Sequence, residues 1–145
     1  MRLALMVIGA LALAACASTQ SAETARPFDP QSCYERTFPV YFEEYQEHLT
    51  DEAREAIRAM EEALRGCTIE RVRIVGLAGA RGPADANLEL SYRRAEIIAD
   101  YIDNTTPWPR SRFELLAGGE SGATTDDGLE RPMRRRAQVT VFAVG

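Results

Sequence analysis

Few side chains in this 145-residue chain could do chemistry, and those best suited to hold a ligand fall in one stretch. Gly76 to Ala95 reads GLAGARGPADANLELSYRRA. A β-branched run (Val72, Ile74, Val75) leads into it, a glycine-rich loop follows, and the stretch then turns helical. A strand ending in such a loop and feeding a helix is where α/β folds place ligand sites. On the helix, Arg94 shares a stripe with Leu90, Ile98 and Ile102. A permanent cation among apolar neighbours costs stability unless something pairs with it. The other reading of Arg94 is a stem that covers the core edge while its head reaches water. The residues alone leave both open.

Catalysis and metal binding have no comparable support. The chain holds one His, His48, and no Ser-His-acid set, metal-ligand spacing or phosphate loop, so no enzyme, cofactor or metal is expected. The basic run Arg134-Arg135-Arg136 sits in a chain of net charge −5, which disfavours nucleic acid as a partner. An ion-paired start of a strand is the plainer reading of that run. Trp108, between Pro107 and Pro109, reads as a loop anchor.

The first residues speak to compartment. Arg2 precedes an apolar and small-residue run, Leu3 to Leu13, too short to span a bilayer. It closes on Leu13-Ala14-Ala15-Cys16, which resembles a bacterial lipobox and implies lipidation of Cys16 and anchoring to the outer membrane. An ordinary secretory signal would also export the chain. Residues 1–15 are thus read as a lipoprotein signal peptide, 16–31 as a flexible, Pro-punctuated tether, and 32–145 as one domain. Export leaves Cys33 and Cys67 as an even pair in an oxidising compartment. They lie just before the first and second strands, and a bridge between neighbouring strand starts is expected.

These residues need elements to position them. Thr37 to Phe42 alternates as a strand, and Pro39 places it at a sheet edge. Thr50 caps a helix carrying Ala53, Ile57, Met60 and Leu64 at helical spacing, stopped by Gly66. Ile69 to Val75 is the second strand, and about 84 to 103 the second helix. Phe113 to Ala117 forms a third strand, followed by a polar, mobile loop from Ser121 to Leu129. Arg136 to Val144 is the last strand. The order β-α-β-α-β-β predicts an α/β sandwich with both helices on one face of a mixed sheet.

The central stretch also resembles the motif of the OmpA-like peptidoglycan-binding family, G-h-T-D-x-x-G-x-x-x-x-N-x-x-L-S-x-x-R-A. Gly76, Gly82, Asn87, Leu90, Ser91, Arg94 and Ala95 fall on matching positions. The resemblance spans roughly Phe38 to Val144 and includes the arginine-rich stretch before the last strand. It implies a site for the diaminopimelate of the peptidoglycan stem peptide, made by Arg94, Asn87, Ala78, Gly79 and Leu90. Family members use a loop Asp for the ligand's ammonium and the helix Arg for its carboxylate. Here Gly79 replaces that Asp, Ala78 replaces the Thr, and Arg134 replaces a second Asn. Asp85 is expected to face solvent. Arg134 would add positive charge near the pocket, which suits an anionic ligand. A second reading therefore stays open: an interaction module that has lost peptidoglycan binding and recognises an envelope protein or an anion.

Overall fold

The structure, a computed structural model, describes residues 28–145. The signal segment, Cys16 and most of the tether lie outside the described residues. The elements follow the expected order: β1 (Arg36–Tyr41), α1 (Asp51–Ala63), β2 (Thr68–Gly76), α2 (Ala84–Thr105), β3 (Phe113–Ala117) and β4 (Arg136–Val144). At the start of α1 the Thr50 hydroxyl accepts from the Ala53 N–H at 3.2 Å, and Asp51 and Glu52 occupy the first turn. That satisfies an orphan donor and complements the helix dipole. Gly66, at φ 88°, makes the turn into β2. The second helix runs past its expected end at Asp103 and stops at Thr105, ahead of Pro107 and Pro109.

The strands form one sheet in the order β1-β4-β2-β3. β2 and β3 pair in parallel, while β4 runs antiparallel to β1 and β2 on either side of it. Pro39 lies on the edge strand β1, opposite Gln138, where its missing N–H costs no second ladder. Alternation on β4 sends Ala137, Val139, Val141 and Ala143 inward. They meet Val72 and Ile74 of β2, Ile57 and Leu64 of the α1 region, and Ile98 and Ile102 of α2. Both helices cover this one face, as right-handed crossovers require.

Two expectations change. Cys33 and Cys67 are bonded, with Cα atoms 5.6 Å apart, but β1 and β2 are not neighbours: β4 lies between them. The disulfide therefore ties together two strands that flank the last one. The segment Ser121 to Leu129, expected to be mobile, closes on itself. The Thr125 N–H donates to the Leu129 carbonyl at 2.8 Å and the Arg131 N–H to the Ala123 carbonyl at 2.7 Å.

Candidate functional site

The end of β2 fixes the site. A Cβ built on Gly76 would lie 1.7 Å from the Ser91 carbonyl oxygen, so strand and helix meet backbone to backbone and only glycine fits. The loop that follows is pinned on both sides. The Leu77 N–H donates to the Arg136 carbonyl at 2.8 Å and the Ala78 N–H to the Gly119 carbonyl at 2.7 Å. Ser91 then fastens α2 to the loop after β3, its hydroxyl accepting from the Gly119 N–H at 2.9 Å. Asn87 is buried, and its Nδ2 donates to Glu120 Oε2 at 2.8 Å.

Arg94 is only 1% exposed. Its Nε, Nη1 and Nη2 donate to the carbonyls of Gln46 (2.9 Å), Leu77 (2.9 Å) and Glu43 (3.1 Å). The Phe42 ring lies 4.8 Å from its guanidinium carbon. The reading that sends the head of Arg94 to water does not hold, since the side chain is buried, and the residue has a structural task of its own, binding the β1–α1 and β2–α2 loops to the helix. No carboxylate among the described residues lies within ion-pair distance of it. Burial, and then the charge of Arg135, push its pKa down to about 10, against the opposing pull of Glu47. Three of its five N–H donors are used, so two remain.

Arg94 also lines a cavity of about 120 Å³. Gly79, Asn87, Leu90 and Arg94 line it together, so four of the five residues matched to the family site are gathered in one place. Ala78 is the exception: it is fully buried in the protein interior and does not reach the cavity. Gly79 has no positive φ, and a Cβ there would meet the Arg135 stem at ordinary contact distances of 3.5 and 3.8 Å. Asp85 is exposed, as expected.

The remaining wall was missed in the sequence. Glu44 and Glu130 face the cavity with Arg81, Arg131 and Arg135. Glu44 pairs with Arg81 at 3.4 Å and Arg135 at 3.3 Å, and Glu130 with Arg81 at 3.2 Å. Tyr45 stands at the rim, 61% exposed and with φ 56°, a left-handed conformation rare for a residue with a Cβ. The positive charge expected from Arg134 comes instead from Arg135. The 3-10 turn Pro132–Arg134 aims Arg134 at the Ser121 carbonyl and turns its neighbour inward.

Comparison with known proteins agrees with this architecture. The model of the OmpA family matches residues 41–137. The OmpA-like domain of FopA1 from Francisella tularensis superposes with a TM-score of 0.64 at 17% identity, covering 81% of this chain and 79% of that one. The cell wall anchor of the type VI secretion system from Pseudomonas aeruginosa gives 0.61 at 24% identity, with 78% and 89% covered. The peptidoglycan-associated lipoprotein from Burkholderia pseudomallei gives 0.59 at 20% identity, with 79% and 95% covered. No curated protein matches the sequence.

Proposed function

This chain belongs to the OmpA family, and from that premise we propose that it is a cell-envelope domain that binds peptidoglycan non-covalently through the cavity that Arg94 lines. The observation that carries this reading is Arg94 itself: 1% exposed, without a carboxylate partner among the described residues, and in the lining of a cavity. Buried charges are ordinarily paired, and an unpaired one costs several kcal/mol. A carboxylate of the stem peptide, that of diaminopimelate included, supplies the missing anion. Leu90 and Asn87 form the adjoining wall, and Gly79 leaves room beside it. The fold neighbours whose names refer to cell-wall attachment support the reading. In the same reading residues 1–15 are removed, Cys16 carries lipid in the outer membrane, and 16–31 tether the domain in the periplasm. The task is binding, not catalysis.

Co-sedimentation with purified sacculi tests this. Wild type is expected in the pellet, and Arg94→Lys, which keeps a charge but loses the fork, is expected to lose about tenfold in affinity. Because Arg94 also holds two loops, a thermal melt must accompany the assay. A second reading, an interaction module without wall binding, has one observation in its favour: Gly79 supplies no acid for an ammonium. Wild type that stays in the supernatant would select it.

A further inference from the structure

The charge balance of the cavity departs from that of the molecule. Four guanidinium groups (Arg81, Arg94, Arg131, Arg135) and two carboxylates (Glu44, Glu130) line it, a formal surplus of positive charge in a chain of net −5. Both carboxylates are already engaged by arginines at 3.2–3.4 Å. The Nε of Arg135 is buried without a hydrogen-bond partner. A side chain at position 79 would point at the aliphatic stem of Arg135, and Gly79 supplies no acid of its own there. An amino-acid centre brings an ammonium beside its carboxylate. In this cavity that ammonium meets like charge and acids already neutralised, a repulsive element that discriminates as effectively as an attractive one. A carboxylate whose neighbouring nitrogen is acylated brings only the favourable charge.

We propose that the pocket selects a chain-end carboxylate next to an amide, as at the D-alanine terminus of a stem peptide, over the free ammonium–carboxylate centre of diaminopimelate. The cavity, of about 120 Å³ and open to solvent on one side, has room for a carboxylate with a small side chain, and Leu90, Pro132 and Tyr45 offer apolar wall for a methyl group. Arg94 and Arg135, the latter shared with Glu44 at 3.3 Å, supply positive charge to the wall. The inference rests on the wall-binding reading only for the source of the carboxylate.

The test is NMR titration of the isotope-labelled domain with N-acetyl-D-alanine, its amide, N-acetyl-L-alanine and free diaminopimelate, beside sacculus co-sedimentation. N-acetyl-D-alanine is expected to shift the Arg94 and Arg135 Nε–H signals, with affinity about tenfold above that of diaminopimelate. The amide is expected to do nothing. Gly79→Asp, whose carboxylate would neutralise Arg135, is expected to reverse the preference, and Arg135→Gln to abolish it, both with unchanged melts. Should either variant misfold, the wild-type ratio still decides. Equal or tighter binding of diaminopimelate, or equal binding of the amide, overturns the inference; so do sacculus binding without any response to the acetylated probes and a preference for the L form, which points to a protein chain end. A response to N-acetyl-D-alanine without sacculus binding would keep the pocket's selectivity and sink the wall reading.

Discussion

At the scale of the residue, Arg94 is both beam and bait. It anchors three carbonyls and also lines a cavity. The sign of its titration follows from its burial. A cation whose pKa is pushed down to about 10 by burial on folding is held charged at a cost at neutral pH. That cost is relieved only as pH rises above about 10. An anion in the cavity offsets the same cost. Carboxylate affinity is therefore expected to be flat from about pH 6 to 9 and to fall above about pH 10, as Arg94 loses its charge. A titration series by fluorescence polarisation would check this, and a decline centred near the ordinary His range would contradict it. The sequence exposed Arg94 through its place on an apolar stripe, but could not reveal that its partners are main-chain carbonyls from two other loops. Nor could it reveal Glu44, Tyr45 and Glu130, which belong to loops without periodicity and meet only through the fold.

At the scale of the element, the β2–α2 junction decides the geometry of the site. Gly76 touches the Ser91 carbonyl, and the loop beyond it is tied to the chain at Arg136 and Gly119. Gly76→Ala is expected to cost at least about 3 kcal/mol or to prevent folding, because the obstacle is rigid helix backbone. Gly79→Ala, where a Cβ has ordinary contacts and no positive φ must be adopted, is expected to change stability by less than about 1 kcal/mol. Urea melts of the two variants check the pair, and similar midpoints would contradict the account. Element order was legible because alternation on β4 and helical spacing on α1 are strong signals. The polar loop Ser121–Leu129 was legible, but the backbone hydrogen bonds that tie it were not, because composition does not register them.

At the scale of the molecule, the bond between Cys33 and Cys67 fastens β1 and β2 across the intervening β4. For a sequence separation of 34, loop entropy gives about 3–4 kcal/mol of stabilisation. Cys33→Ala/Cys67→Ala is expected to lower the melting temperature by more than about 10 °C while the folded fraction keeps its affinity for sacculi, since the disulfide lies at the far end of β2 from the cavity. A double variant that melts like the wild type would refute the estimate. Anchoring is a separate matter. Metabolic labelling with a palmitate analogue is expected to tag the wild type and spare Cys16→Ser, and labelling of both would rule out Cys16 as the lipid site.

The central claim, that a wall carboxylate docks on Arg94, is tested most directly by titrating soluble muropeptides into the labelled domain and following every amide and arginine Nε–H signal. The largest shifts are expected to gather at Gly79, Asn87, Arg94 and Arg135, and in Arg94→Lys to need about tenfold more muropeptide. Shifts that cluster elsewhere, or none at saturating muropeptide, would contradict it.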